Sequence, residues 1–207
     1  MIKVPKYIQR LFKHQIWNIK NDENAVYLTF DDGPIPYVTE EILKILEQEK
    51  VKATFFCIGD NIKKHPDIFL KIIQAKHAIG NHTFNHLKGW NTKLQEYVSN
   101  VDLCQQELEQ LNINSRLFRP PYGKISIKQS RFLRKKGYKI IMWDVLSKDY
   151  DCKINAQKCF DNVVKNTSSG SIIVFHDSLK AQQNVLKSLP KVIQALKAKG
   201  FTFKKLS

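Results

Sequence analysis

The chain has 207 residues, 43% hydrophobic and 11% aromatic, which is enough for one domain with one sizeable core. No apolar run approaches the roughly 20 residues that cross a bilayer, so we expect no transmembrane segment. The formal net charge is +15, but most lysines stand singly along helical segments, so we expect no specific nucleic-acid partner. We also expect a monomer.

Residues 1–20 combine basic residues with apolar ones close to helical spacing. They contain no apolar block, so no signal peptide is evident, and the sequence as written predicts a cytoplasmic protein. A basic amphipathic helix of this kind could contact a membrane surface, or it could plug the bottom of the domain. We therefore divide the chain into an N-terminal extension, 1–24, and a main domain, 25–207.

From residue 25 onward, short β-rich runs alternate with helical patterns. The predicted strands are 25–30, 53–58, 78–82, 116–120, 138–144, 171–176 and 201–205. Their near-continuous apolar character is typical of parallel strands that are covered on both faces. The alternation predicts an α/β fold of βαβ units, either a (β/α) barrel of about seven strands or an open doubly wound sheet.

Two helical patterns carry signals for their ends. A long apolar stripe begins at Leu94 and opens with the capping box Thr92-x-x-Gln95. In the last helical pattern, Pro190 predicts a break, with proline in the first turn of a new helix. Gly200 predicts the end of that helix before the final strand.

Ionisable side chains stand at the carboxyl ends of five predicted strands: Asp31 and Asp32, His82, Arg119, Asp144 and His176. In a (β/α) barrel these strand ends meet at one face, where the catalytic groups lie. The pattern therefore favours a barrel-like arrangement with one site.

The spacing of two histidines and a pair of aspartates predicts a metal site. His82 and His86 are four residues apart, which places both imidazoles on one face if the segment turns helically. With one carboxylate they leave a fourth position for water, as in catalytic zinc sites. Because neighbouring carboxylates repel each other, we assign Asp32 as the ligand and Asp31 as the base. We expect a divalent metal, with zinc as the first candidate, although this ligand set accepts several ions.

Further groups complete a hydrolytic site. The planar fork of Arg119 suits a carboxylate such as Asp31, and the loop that follows could direct the backbone N–H of Tyr122 toward an oxyanion. His176 could protonate a leaving amine, with Asp149 keeping its imidazole charged. Each motif alone is also compatible with an ordinary strand-ending loop.

The motifs occur in a recognisable order: Thr29-Phe30-Asp31-Asp32-Gly33-Pro34, His82-Thr83-Phe84-Asn85-His86, Arg119-Pro120-Pro121-Tyr122-Gly123, Asp149-Tyr150 and Val174-Phe175-His176. In this order they resemble the NodB-homology polysaccharide deacetylases from about Ala25 to the C-terminus. The resemblance implies a distorted (β/α) barrel, with 25–207 as the catalytic domain. It also implies removal of acetyl groups from amino sugars, or in some members from O-acetylated glycans.

The resemblance further implies a role for each matched position. The matches are the base Asp31, the metal ligands Asp32, His82 and His86, the base-orienting Arg119, the oxyanion N–H of Tyr122, and the acid His176 with its partner Asp149. Tyr150 stands where the family often has Trp, and Val174 where it often has Leu; both are apolar enough to wall an acyl pocket. Trp90 is a further candidate for contact with a sugar.

The expected substrate is an acetylated carbohydrate whose identity the sequence does not specify. One alternative is an O-acetyl esterase that acts through the same residues. Another is an inactive glycan-binding barrel, which would lack the base, a ligand or the acid. All three kinds of residue are present in this sequence.

Overall fold

A curled parallel sheet forms the centre of the fold. The computed structural model describes residues 2–207, and these contain eight strands. The strands are β1 (Ala25–Asp31), β2 (Thr54–Cys57), β3 (Ala78–Asn81), β4 (Leu117–Phe118), β5 (Lys139–Ile140), β6 (Val145–Leu146), β7 (Ile172–His176) and β8 (Thr202–Phe203). Seven follow the order β5-β4-β3-β2-β1-β7-β6, and β8 pairs with β1. The predicted α/β barrel of about seven parallel strands is confirmed.

Helices cover this sheet. Among residues 2–207 they are α1 (Lys6–Leu11), α2 (Val38–Gln48), α3 (Gly59–Lys64), α4 (Pro66–Gln74), α5 (Leu94–Gln110), α6 (Ile127–Lys135), α7 (Ala156–Val164) and α8 (Gln182–Ala198). Their buried residues recur at helical spacing, as Val38, Ile42 and Leu46 do in α2, so each longer helix turns one apolar face to the core. None of the helices in the described part of the chain is long and apolar enough to span a bilayer.

Strand β1 lies inside the sheet, between β2 and β7, and all seven of its residues are buried. Phe30 stacks on Phe55 of β2 with ring centroids 4.9 Å apart, and it also faces Phe175 of β7 at 6.2 Å. This aromatic packing fixes β1 between β2 and β7. The two aspartates at its carboxyl end are therefore held at the barrel mouth.

Only residues 139–140 of the predicted strand 138–144 belong to a named strand, and this corrects the position of Asp144. Residues 139–140 form β5 and residues 145–146 form β6, at opposite ends of the strand path. Asp144 precedes β6 and accepts a hydrogen bond from the N–H of Ile172, the first residue of β7. Asp144 therefore lies at the amino end of the strands, away from the other ionisable groups, and its predicted place in the site is wrong.

The N-terminal extension runs between the two edge strands β5 and β6. Its helix covers only Lys6–Leu11, so the longer amphipathic helix suggested for 1–20 is not formed. Ile16 bonds to the backbone at Ile140 and Met142, and Lys3 makes a 2.7 Å ion pair with Asp144. These contacts favour an extension packed against the domain over a free surface helix, because the extension forms hydrogen bonds with backbone groups at both edges of the sheet. The division at residue 24 stays a prediction.

Two predicted helix ends also differ from the structure. Thr92 does not cap α5, which begins after Lys93; its hydroxyl bonds instead to the carbonyl of Lys88. Helix α8 continues through Pro190 without the predicted break. Buried Leu189, Val192 and Ile193 hold both halves of α8 on the core, and this packing outweighs the cost of one missing backbone donor.

Candidate active site

The carboxyl ends of β1, β3, β4 and β7 bring together the ionisable residues singled out in the sequence, apart from Asp144. Asp31 lies directly opposite His176 in the register of β1 with β7. Asn81, the residue before His82, pairs with Phe118, the residue before Arg119. Parallel pairing thus places side chains from distant parts of the chain at one mouth.

Three donor atoms converge at this mouth. Nε2 of His86 lies 3.2 Å from Oδ1 of Asp32, and Nε2 of His82 lies 3.7 Å from the same oxygen. Asp32, His82 and His86 each offer one ligand atom, and these atoms all lie within 4.8 Å of one another. Two imidazole nitrogens and a carboxylate oxygen are a donor set that suits a catalytic zinc ion.

Hydrogen bonding and burial prepare His82 to act as a ligand. Its Nδ1 lies 2.8 Å from the carbonyl of Arg119, which can only accept, so Nδ1 carries the proton and Nε2 keeps its lone pair. Burial lowers the pKa of His82 to about 4, although Asp31 and Asp32 oppose this. His82 is therefore neutral at pH 7, the form that binds metal.

The charge state of Asp32 also suits a cation. Burial alone would raise its pKa, but the hydrogen bond from His86 and the positive charge of His176 lower it below its usual range. Asp32 is therefore ionised at neutral pH. The donor types of all three residues fit a divalent ion, as do the protonation states of His82 and Asp32.

The segment between the two histidines is a loop, so a helical turn is not what brings the two imidazoles together. Thr83 and His86 have positive φ values of 64° and 56°. Asn81 accepts a bond from the N–H of Thr83, and Asn100 of α5 accepts from the N–H groups of Phe84 and Asn85. These amide side chains hold the loop in a strained conformation that turns His86 back toward His82.

The backbone at Asp32 is held in a similar way, by residues that the sequence analysis missed. Asp32 has a φ of 86°, and the side-chain amide of Asn61 donates to its carbonyl at 2.7 Å. The N–H of Gly33 donates to Asp177, which also accepts from the hydroxyl of Thr39. Burial raises the pKa of Asp177 to about 7. Asp177 directly follows His176, and this adjacency was the only sequence signal.

Arg119 holds the predicted base. Its side chain is fully buried, and Nη1 donates to Oδ1 of Asp31 and to the hydroxyl of Thr29, both at 2.7 Å. The remaining guanidinium nitrogens donate to the carbonyls of Ile141 and Met142. Among the described residues, no hydrogen bond engages Oδ2 of Asp31. The pair therefore leaves one carboxylate oxygen available for a proton.

His176 and Asp149 form a second, separate pair. Ring Nδ1 of His176 lies 2.7 Å from Oδ1 of Asp149, and its backbone N–H donates to Oδ2. Burial alone would lower the pKa of His176, but the charge and hydrogen bond of Asp149, together with Asp32 and Asp31, raise it to about 9. His176 is therefore a cation at neutral pH, with Nε2 left to donate.

Tyr122 lies beside the metal-ligand residues. Its ring centroid is 4.6 Å from that of His86, and its φ is 59°. Within residues 2–207 its backbone N–H has no hydrogen-bond partner, whereas the N–H groups of Gly123 and Lys124 are both bonded. A free, fixed donor at this position is suited to an oxyanion.

The three predicted pocket residues lie in different surroundings. Val174 is buried in β7 two residues before His176, so both side chains point to the same face of the strand. The ring of Tyr150 stands edge-on to His176, with centroids 4.8 Å apart. Trp90 is 61% exposed and lies in the short 3-10 turn Gly89–Asn91.

The amino-acid sequence is similar to those of known deacetylases. The sequence profile described as "Polysaccharide deacetylase" matches residues 18–141. A peptidoglycan-N-acetylglucosamine deacetylase of Bacillus cereus is 31% identical over 188 residues, covering 90% of this chain and 88% of that protein. A chitooligosaccharide deacetylase of Azorhizobium caulinodans is 31% identical over 205 residues, covering 93% and 97%.

A solved structure is also similar over almost the whole chain. It is that of the Bc1960 peptidoglycan N-acetylglucosamine deacetylase, with a TM-score of 0.90 and 32% sequence identity. The alignment covers 98% of this chain and 95% of that one. The sequence profile ends before Asp149 and His176, so the similarity at those positions rests on these longer alignments.

Proposed function

The chain belongs to the polysaccharide deacetylase family, and we propose that it hydrolyses acetyl groups from an N-acetylated sugar polymer or oligosaccharide with the help of a divalent metal ion. One observation carries the proposal: a metal-ligand triad shares the barrel mouth with two independently held proton-transfer groups. Asp31 is held by Arg119, and His176 is held by Asp149. Such a site has what hydrolysis of an unactivated amide requires.

Asp32, His82 and His86 would hold the ion, and zinc is the first candidate because its preferred donors are histidine nitrogen and carboxylate oxygen. When bound, such an ion supplies Lewis acidity, which lowers the pKa of water and polarises an acyl oxygen. The buried, neutral His82 and the ionised Asp32 are both in the state that binding needs.

Asp31 acts as the general base. Arg119 occupies its Oδ1, so Oδ2 accepts the proton from the attacking water. As the acetyl carbonyl becomes tetrahedral, the N–H of Tyr122 donates to its oxygen. That donor is in place before the reaction begins, so little reorganisation is needed.

His176 acts as the general acid. The imidazolium donates its Nε2 proton to the sugar nitrogen as the carbon–nitrogen bond breaks, and Asp149 stabilises the charged form before that step. Tyr150 and Val174 adjoin this histidine, one by ring contact and one along β7. They would wall the space for the acetyl methyl group.

The same residues could serve an O-acetyl esterase, and substrate comparison separates the two. Purified enzyme would be incubated with matched N-acetylated and O-acetylated oligosaccharides, and released acetate would be measured. De-N-acetylation predicts turnover of the N-acetylated substrate that depends on His176. Turnover of O-acetyl groups alone would favour the esterase, and tight glycan binding without any acetate release would favour an inactive barrel.

Peripheral membrane contact through residues 1–20 stays a proposal, supported by the exposed side chains of the extension. Tyr7 and Leu11 of α1 are 70% and 75% exposed, beside the cationic Lys6 and Arg10. Co-sedimentation with anionic and neutral vesicles, comparing the protein with its Tyr7→Ser/Leu11→Ser variant, tests this contact. The cytoplasmic location and the monomeric state likewise stay predictions of the sequence.

A further inference from the structure

The loop that follows β6 carries two residues that contact the proposed acid. Asp149 pairs with His176, and the ring of Tyr150 stands edge-on to that histidine. Residues 147–155 contain no helix or strand. Lys148, directly before Asp149, has a φ of 62°, which a residue other than glycine rarely adopts. Such a conformation persists only where neighbouring contacts hold it, so the position of this loop depends on side chains that bond to its backbone.

A buried asparagine bonds to both ends of the segment 149–154. Asn184 lies in the first turn of α8 and is 8% exposed. Its Nδ2 donates to the carbonyl of Asp149 at 3.0 Å and to the carbonyl of Ile154 at 3.2 Å. An amide NH2 group has two hydrogens, and each has its own acceptor in this arrangement. The segment that begins with Asp149 is therefore tied to α8 at both ends.

A second buried amide holds the start of the loop. Asn162 of α7 is 5% exposed, and its Nδ2 donates to the carbonyl of Ser147 at 2.9 Å. The hydroxyl of Ser147 in turn accepts from the N–H of Asp149 at 3.2 Å. Helices α7 and α8 pack against each other, so both amides belong to one supporting layer. Of the two, Asn184 bonds to the backbone of Asp149 itself.

Buried amides that bond to loop carbonyls also serve stability alone. Gln129 of α6 is 2% exposed, and it donates in the same way to two carbonyls at the turn that carries Trp90. Asn184 differs in what its loop does. The carboxylate of Asp149 accepts two bonds of 2.7 Å from His176, one from the ring and one from the backbone. Because the attraction between opposite charges falls with distance, a displacement of Asp149 weakens its effect on the imidazolium.

We propose that Asn184 is a positioning residue for the acid: by holding the backbone of Asp149, it keeps the carboxylate against Nδ1 of His176. The inference rests on the proposed function and adds to it a residue of α8 that acts through Asp149. The charged groups that favour the imidazolium are Asp149, Asp32 and Asp31. Asp149 has the largest effect of the three, and Asn184 sets its position.

The test removes the two donors and keeps the size of the side chain. Wild type, Asn184→Leu and Gln129→Leu would be compared with the same divalent ion present. NMR gives the pKa of the His176 ring, and acetate release from an N-acetylated oligosaccharide gives the pH profile of kcat/KM. Urea titration gives the unfolding free energy. Gln129→Leu is the matched control, because it removes an equally buried amide that also donates to two loop carbonyls.

We expect the pKa of His176 to fall by about one unit in Asn184→Leu, and the alkaline limb of the pH profile to move with it. At about pH 9, where half of His176 is charged in the wild type, roughly 9% would be charged in the variant, so kcat/KM should drop by about 5-fold. At about pH 6.5 both proteins carry the charge, so the loss should be much smaller. Gln129→Leu should lose comparable stability and keep the wild-type pKa of His176.

Two results would overturn the inference. One is an unchanged pKa of His176 in Asn184→Leu. The other is a loss of kcat/KM in that variant that is equal at every pH, because such a loss reports damage to the fold rather than displacement of Asp149. If Asn184→Leu does not fold, Asn184→Ala leaves room for water at the two carbonyls, and the same fall in pKa is expected of it.

The NMR titration separates failure of this inference from failure of the proposed function, because it needs no hydrolysis. If no acetate is released but the pKa of His176 falls in Asn184→Leu and not in Gln129→Leu, the deacetylase activity fails and the positioning role stands. If acetate is released while the pKa and the alkaline limb stay unchanged in Asn184→Leu, the positioning role fails and the activity stands.

Discussion

The pair of Asp149 and His176 gives the most quantitative prediction. Replacing Asp149 with Asn keeps the shape of the side chain but removes its charge. Asp149 now accepts hydrogen bonds from the ring Nδ1–H and the backbone N–H of His176. In the Asn variant the side-chain NH2 group, itself a donor, would face one of these two donors. The imidazolium would lose its main stabilising partner, so the pKa of His176 should fall.

The size of the effect follows from the pKa of His176, which is about 9 against an ordinary 6.5. That difference corresponds to about 3 kcal/mol in favour of the charged form. At about pH 8.5, roughly three quarters of His176 is charged in the wild type, against roughly 1% if the pKa returns to 6.5. The amide-cleaving rate at that pH should therefore fall by about 75-fold, or by more if burial lowers the pKa further.

The assay is a pH profile of kcat/KM for acetate release, with an NMR titration of the His176 ring. The wild type should lose activity only as pH rises through about 9, and Asp149→Asn should lose it at least two pH units earlier. Asp151→Asn, two residues along the chain, is the matched control and should behave as the wild type. An unchanged alkaline limb in Asp149→Asn would refute the assignment of His176 as an acid stabilised by Asp149.

The same shift makes a prediction about stability. Because the pKa of His176 is higher in the folded state, the charged imidazolium stabilises the fold. This stabilisation is complete below pH 6.5 and is lost as the pH rises through about 9. Melting temperatures of the wild type should therefore fall between these values more steeply than those of Asp149→Asn. Equal slopes for the two proteins would contradict the raised pKa.

Three further substitutions test other parts of the site. His176→Ala should slow amide cleavage far more than cleavage of an activated aryl ester, whose leaving group needs little protonation; equal losses would remove His176 from the acid role. Arg119→Met leaves Asp31 buried without its partner, so urea titration should show about 3–5 kcal/mol lower unfolding free energy; a loss under 1 kcal/mol would contradict the buried pair. Gly33→Ala would place a Cβ 1.8 Å from Oδ2 of Asp177, so it should weaken metal binding in a chelator competition assay and lower the melting temperature. Wild-type metal affinity in that variant would show that Asp177 does not position the ligand loop.

Much of the site was predictable because its chemistry is carried by short motifs at strand ends. Asp32, His82 and His86 were assigned as ligands from residue type and spacing, and the structure brings their donor atoms within 4.8 Å of one another. Alternating apolar strands and helices predicted the parallel sheet, since covered strands need apolar residues on both faces. These features depend on local sequence.

The errors arose where distant contacts decide the structure. Asp144 was placed at the wrong end of the sheet because 138–144 reads as one apolar strand. In the structure β5 ends at Ile140, Asp144 directly precedes the separate strand β6, and the N-terminal extension bonds to both strands. The loop after His82 is shaped by Asn100, which no local pattern links to it. Asp177 and Gly33 are 144 residues apart in the chain, so their hydrogen bond has no sequence signature.

Acetate release with and without metal tests the central claim most directly. The enzyme would be stripped with a chelator, assayed on an N-acetylated oligosaccharide, and assayed again after addition of zinc or another divalent ion, alongside His82→Ala. We expect the stripped enzyme to be inactive, restoration of activity by a divalent ion, and no restoration in His82→Ala. Full activity after verified metal removal, or equal restoration in His82→Ala, would contradict a metal site formed by Asp32, His82 and His86.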